Sequence, residues 1–565
     1  IVEALDWLVI GVFFLALIGI IVWVVRQKQN DSADYFLGGR DATWLAIGAS
    51  IFASNIGSEH LIGLAGAGAS SGMAMAHWEI QGWMILILGW VFVPFYSRSM
   101  VYTMPEFLER RYNPQSRTIL SVISLVSYVL TKVAVTVYAG GLVFQQVFGI
   151  KELWGIDFFW IAAIGLVVLT ALYTIFGGMK SVLYTSVLQT PILLLGSLII
   201  LVLGFKELGG WDEMMRVCGA VTVNDYGDTM TNLIRSNDDA NFPWLGALIG
   251  SAIIGFWYWC TDQFIVQRVL SGKNEKEARR GTIFGAYLKL LPVFLFLIPG
   301  MIAFALHQKY IGAGGEGFLP MLANGTANAD AAFPTLVAKL LPAGVKGLVV
   351  CGILAALMSS LASLFNSSAM LFTIDFYKRF RPETPEKKLV GIGQIATVVI
   401  VILGILWIPI MRSVGDVLYT YLQDVQSVLA PGIAAAFLLG ICWKRTSAQG
   451  GMWGLIAGMV IGLTRLGAKV YYSNAGEVAD STFKYLFYDM NWLFFCGWMF
   501  LFCIIVVIVV SLATEAPTAE KIQGLVFGTA TKEQKAATRA SWDHWDIIHT
   551  AIILAITAAF YWYFW

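Results

Sequence analysis

Apolar residues in this chain do not alternate with polar ones; they run on. About fourteen apolar segments can be traced, at 5–25, 42–70, 78–97, 118–148, 157–176, 181–204, 243–267, 281–306, 343–376, 389–411, 415–441, 450–472, 490–513 and 545–565. A helix needs roughly 20 apolar residues to cross a bilayer. The pattern therefore predicts an all-α polytopic membrane protein with about fourteen transmembrane helices. Several segments exceed one bilayer thickness, which implies tilt or an extension past it. The first run is longer than the core of a signal peptide and is followed by Arg26 and Lys28, so it is expected to be a retained span.

The loops carry the charge, and the charge sets an orientation. With the loop after the first span placed in the cytoplasm, cytoplasmic loops hold 24 of the 37 Lys and Arg, and the opposite side holds 11. Lys132 and Lys289 fall inside apolar segments. Basic residues favour the cytoplasmic side, so both termini are expected outside. The long segments 205–242 and 307–342, rich in Asn, Asp and Gly, are then external.

Composition narrows the class further. Of 565 residues, 58% are hydrophobic and only 13% charged, against about a quarter charged in soluble domains. That excludes a soluble enzyme, a disordered chain and a nucleic-acid binder. Net charge is +1, so no bulk field recruits an acidic partner. Six cysteines are scattered without a CxxC pair, which argues against a disulfide or zinc framework.

Polar residues inside spans are functional-site candidates. In the second segment, ASIFASNIGSEHLIGLAGAG, the stretch from Ser54 to Ser58 interrupts the apolar run and Glu59 and His60 follow at once. A polar, Gly-containing break suggests a discontinuous helix whose freed carbonyls could meet an ion. A patch of small residues for close helix packing is the alternative. Five segments later, GFWYWCTDQFIVQR repeats the interruption at Thr261, Asp262 and Gln263, after Trp257, Tyr258 and Trp259. Two breaks five spans apart fit an inverted repeat of five plus five helices. The aromatics fit core packing equally well, and Asp262 could simply pair with Arg268.

In segment 343–376, Ala356, Ser359 and Ser360 share one helical face. Their carbonyl and hydroxyl oxygens suit a hard monovalent cation; serines bonding back to their own helix are the alternative. Glu79, Lys289 and Gln423 are further intramembrane polar groups, with Asp424 beside Gln423. Acceptors, donors, amides and aromatic faces together suit a neutral polyol, though a buried Glu–Lys pair could equally serve stability alone.

These strings resemble the sodium/glucose cotransporter branch of the solute:sodium symporters. The resemblance runs from about Asp34 to about Arg445 and rests on FASNIGSEHLIGLAG, TMPEFLERRY, WYWCTDQFIVQR, YLKLLP, LMSSLASLFNS, FTIDFY and APGIAAAFLLGICWKR. It implies a LeuT-type inverted-repeat core. The organisation would be an added N-terminal helix and cytoplasmic loop (1–41), a first repeat (42–204), an extracellular loop (205–242), a second repeat (243–441) and peripheral C-terminal helices (442–565).

The resemblance maps a sodium site to the backbone oxygens of Ala53, Ile56 and Ala356 and the hydroxyls of Ser359 and Ser360. It maps a sugar site to Asn55, His60, Glu79, Lys289 and Gln423. Tyr258 becomes an inner gate with Trp259 beside it, and Trp78 and Tyr419 become outer-gate positions. Family members that move two sodium ions carry Asp where this chain has Ser186 and Thr where it has Ala362, so one sodium per sugar is expected. Gly255 stands where relatives carry a larger polar residue.

The expected protein is thus a sodium-driven importer of a neutral hexose of the glucose or galactose type, working by alternating access. Sodium is its coupling ion, it has no other cofactor, and the bilayer is its setting. No nucleic acid or obligate protein partner is implied. The plasma membrane, more specifically a bacterial inner membrane given the short 514–544 loop, is the expected location. Rival readings are a symporter for myo-inositol, a sugar acid or an amino acid, and a sugar-gated channel or sensor. An enzyme is the least favoured, because His544 and His549 miss the i, i+4 spacing of a helical metal pair.

Overall fold

The computed structural model describes residues 3–27, 31–57, 59–133, 136–137, 140–141, 144, 147–150, 152–321, 325–327, 329–414 and 416–565. At 59, 62, 126, 129–131, 330, 407–414, 416–425, 470 and 473–474 it describes backbone alone. Among the described residues, ten helices are long and apolar enough to cross a membrane. They begin with Ala4–Val25 and end with His544–Tyr563.

The three expected segments that do not pass as long apolar helices are informative. Segment 42–70 is cut in two: the helix Trp44–Asn55 ends, Ile56 is extended, and winding resumes over Glu59–Ser70. Segment 415–441 is a helix, Asp416–Cys442, whose apolar part is the shorter stretch Gln426–Cys442. Segment 118–148 begins as the helix Pro114–Ser127 and then lies partly outside the described residues.

Other breaks sit where the chemistry demands them. Segments 157–176 and 181–204 form one run, Phe158–Leu208, divided at Gly178 with φ +59°. A Cβ there would lie 2.2 Å from the Tyr35 carbonyl oxygen, so both the conformation and the space require glycine. The span Glu275–Gly312 bends after Lys289, where Leu290 and Leu291 lead into Pro292. Proline lacks an N–H and its ring clashes with the preceding turn.

Burial sorts these helices into centre and rim. The most apolar stretch of Val345–Lys378 is 89% buried and that of Glu275–Gly312 is 83% buried. In Ala4–Val25 and His544–Tyr563 the figures are 22% and 17%, so those helices show their apolar side chains outwards, as lipid contact requires. One rim helix still reaches inward. Buried Asp6 accepts hydrogen bonds from Gly344 N at 2.6 Å and Gly347 N at 2.8 Å, which satisfies free amides at the start of the central serine-bearing helix Val345–Met370. Arg465, one of the 11 basic residues assigned to the outer side, is buried within Ala448–Asn474, with its guanidinium 4.3 Å from the Phe495 ring centroid.

Candidate functional site

Both broken helices face one cavity of about 260 Å³. Asn55, His60 and Leu64 line it from the first, and Gly255, Trp257, Tyr258 and Trp259 from the second. Glu79 and Lys289 complete the polar wall. Glu79 ends the four-residue helix Ala76–Glu79, and Lys289 is the last residue of Glu275–Lys289, so both sit where helices stop. Lys289 Nζ donates to Glu79 Oε2 at 2.9 Å, and His60 Nε2 lies 3.3 Å from Oε1. One carboxylate is thus held between two nitrogen groups. The buried Nδ2 of Asn55 has no partner among the described residues. Free donors of this kind are costly unless something fills them.

Aromatic rings frame the cavity. Trp78 stacks on Trp492 with ring centroids 5.6 Å apart and 15° between planes, and Phe242 meets Trp78 at 5.7 Å. Tyr258 packs edge-on against Trp259 at 4.9 Å. Beneath Tyr258, Lys132 Nζ lies 3.4 Å from Asp262 Oδ2 and 5.0–5.2 Å from the rings of Tyr128, Trp257, Tyr258 and Phe264. Arg268 was the cation weighed as a simple partner for Asp262; the structure places Lys132 against it. Tyr419 and Gln423 lie on Asp416–Cys442, and their side chains are outside the described residues. Gln426 from the same helix lines the cavity.

A second cluster of oxygens lies at the first break. Ser360 Oγ lies 2.9 Å from the Ser54 carbonyl oxygen and 2.8 Å from that of Ile56. One hydroxyl proton cannot fully serve two carbonyls, so this junction holds more acceptor oxygen than donor. Ala53 and Ala356 are buried, Ala53 in the last turn of Trp44–Asn55 and Ala356 on the serine helix. Ser359 hydrogen-bonds Gln189 Oε1. The Ser54 and Ser363 hydroxyls meet each other, and Ser363 also donates to the Ser359 carbonyl at 2.9 Å. The set is neutral and oxygen-only, which suits a hard monovalent cation.

Residues 35–458 match the sodium:solute symporter family. The chain belongs to that family. The symporter is 37% identical over 541 residues to the sodium/myo-inositol cotransporter 2 of Mus musculus, covering 93% of this chain and 79% of that one. It is 35% identical over 559 residues to the sodium/glucose cotransporter 4 of Danio rerio, covering 96% and 83%. Its fold matches a solved sodium-coupled sialic acid symporter in a substrate-bound, outward-open state, with TM-score 0.71, 22% identity, and coverage of 91% and 99%. The protein is therefore a sodium-coupled solute symporter with a LeuT-type helical core. It is a multi-pass membrane transporter rather than an enzyme, and sodium is its coupling ion.

Sequence reasoning missed several residues of the symporter's cavity and junction. Gln81 lines the cavity, 3% exposed, and contacts Trp259. Trp492 reaches the cavity from a helix, Trp492–Ala513, assigned to the periphery. Gln189 supports Ser359 from the long Phe158–Leu208 run. Gln81, two residues from Glu79, and Gln189, inside segment 181–204, each carried the readable signal of a polar residue in an apolar run; Trp492 gave none.

Proposed function

We propose that the symporter imports a neutral polyol by alternating access, a glucose- or galactose-type hexose in the first reading. The observation that carries this is Glu79 held between Lys289 and His60 on the wall of an aromatic-framed cavity. The carboxylate accepts from hydroxyls, Lys289 and the open Asn55 amide donate, and ring faces take the C–H side of a sugar ring. Lys289 is already balanced by Glu79, which argues against a sugar acid. The similarity to the sodium/myo-inositol cotransporter 2 favours myo-inositol as a second reading, because a cyclitol offers the same ring of hydroxyls.

Sodium would bridge the first break to the serine helix through the carbonyls of Ala53, Ile56 and Ala356 and the hydroxyls of Ser359 and Ser360. Filling that junction favours the outward-facing state and orders Asn55 and His60 for substrate; coupling requires different affinities in the two states. Inward tilting loosens the junction and frees the ion. A membrane potential drives the charge by about 2.3 kcal/mol per 100 mV. One sodium per substrate is the stoichiometry: Ser186 Oγ donates to the Val182 carbonyl of its own helix at 2.7 Å, and Ala362 offers no side-chain oxygen. Tyr258 serves as inner gate and Trp78 and Tyr419 as outer gate, and the family resemblance adds Gln423 to the substrate contacts. The bias of basic residues supports a plasma membrane orientation with both termini outside.

Uptake of labelled glucose, galactose and myo-inositol into proteoliposomes, with and without an inward sodium gradient, tests this reading. Sodium-dependent accumulation of at least one is expected, with a flux ratio near one. A ratio near two removes the stoichiometry. Sodium current without accumulation identifies a sugar-gated channel or sensor instead.

A further inference from the structure

For two residues after Glu79 the chain leaves helical geometry. Ile80 and Gln81 have φ/ψ of −92°/51° and −104°/26°, between Ala76–Glu79 and the next helix, Gly82–Ile87. This turn sends the Gln81 side chain towards the second broken helix. Gln81 Nε2 donates to the Ser251 carbonyl at 2.8 Å, and its Oε1 accepts from the Trp259 indole N–H at 3.2 Å. Trp259 in turn carries the Lys289 ammonium 5.2 Å from its ring centroid, and Lys289 is the partner of Glu79. Glu79, Lys289, Trp259 and Gln81 therefore form a closed circuit that starts and ends within three residues of chain. An amide has two N–H donors and two oxygen lone pairs. These contacts use one of each, and the remaining pair belongs to a residue that lines the cavity.

Gly255 supplies an independent observation. Its φ/ψ of −64°/−40° is ordinary helix, so the backbone does not require glycine. The space does. A Cβ at 255 would lie 2.9 Å from both Nε2 and Oε1 of Gln81 and 3.1 Å from its Cδ. The Gln81 amide occupies the volume that a side chain at 255 would take. The polar group at this edge of the cavity comes from the turn after Glu79, on a different helix from the one that carries Gly255.

We propose that Gln81 is a specificity-determining residue of the solute site. Its amide fixes the Trp259 indole and offers its remaining N–H and lone pair to a hydroxyl of the neutral polyol, in the space left by Gly255. The proposal rests on reading the cavity as a polyol site, and it adds a contact that positions 55, 60, 79, 289 and 423 do not supply.

The test is a substitution cycle on the full chain in proteoliposomes, with glucose, galactose and myo-inositol as solutes. Gln81→Leu should raise the solute KM about tenfold, the scale of one lost hydrogen bond to a buried partner, and leave the sodium half-saturation at saturating solute within about twofold. Gly255→Asn alone should lose transport, because its side chain meets the Gln81 amide. Gln81→Gly with Gly255→Asn should restore part of it and change the ranking of the three solutes, a non-additive result that two independent sites do not give. Gln81→Met, similar in length and without polar atoms, replaces the leucine variant if that does not fold, with the thermal midpoint in detergent as the check. An unchanged KM in the leucine or methionine variant, a fully active Gly255→Asn, or a double variant no better than Gly255→Asn overturns the proposal while the polyol reading stands. A wild type that accumulates none of the three solutes overturns the polyol reading and this proposal with it.

Discussion

The two broken helices interrupt the core in the same way and fill the gap with opposite chemistry. At the first, the carbonyls of Ser54 and Ile56 meet the neutral hydroxyl of Ser360. At the second, Asp262 leaves the helix and its carboxylate meets the Lys132 ammonium inside a shell of four aromatic rings. Neutral oxygens bind a cation weakly enough to release it each cycle. A buried charge pair loses heavily if either partner goes, so it acts as a fixture. On the proposed reading, one break exchanges its contents and the other keeps them.

The sharpest way to break this contrast is to remove one charge from the second gap. Asp262→Ala takes the carboxylate away from Lys132 and should lower stability by about 3–5 kcal/mol. Thermal unfolding in detergent measures it, and replacing Lys132 with Met in the same chain should recover most of the loss. A melting point equal to wild type would mean the pair is not the fixture described.

Next in size is Glu79→Gln, which keeps the shape and removes the charge between Lys289 and His60. Hydrogen bonds to charged groups are worth about 1.5–3 kcal/mol, so solute uptake should fall between about tenfold and a hundredfold. The sodium-activation curve should hold its midpoint, since Glu79 stands outside the serine junction. A shift of that midpoint equal to the loss in uptake would merge the two sites.

At the first gap the effects should be smaller. Ser360→Ala removes one neutral oxygen and should raise the sodium half-saturation about fivefold, the scale of a hydrogen bond near 1 kcal/mol, with the solute KM at saturating sodium little changed. If sodium activation is unaltered, the ion sits elsewhere. Smallest is Gly57→Ala. Its Cβ would stand 3.2 Å from Ser360 Oγ, a close contact that the hydroxyl can yield to by rotating. Sodium half-saturation should move about twofold, within the modest range of single surface-sized perturbations.

Much of this was readable along the chain, and the reason is local. A span is a run of apolar residues and a break is a polar, glycine-bearing interruption of it, so both are written in adjacent residues. The interruptions at Ser54–Ser58 and Thr261–Gln263 and the serine face of Ala356, Ser359 and Ser360 were all visible in that way. The choice between a hexose and myo-inositol was not, because both present hydroxyls to the same donors and acceptors.

By itself, then, the sequence determined the membrane class, the two interrupted helices and membership of the symporter family. Only the tertiary structure decided who answers whom. Asp6 serves Gly344 and Gly347, Lys132 rather than Arg268 faces Asp262, Gln189 holds Ser359, and Gln81 fills the space beside Gly255. Each of these pairs joins residues more than a hundred positions apart. Hydropathy reports where a side chain prefers to be. It carries no record of the partner that satisfies a buried polar group, because that partner is chosen by how the helices pack.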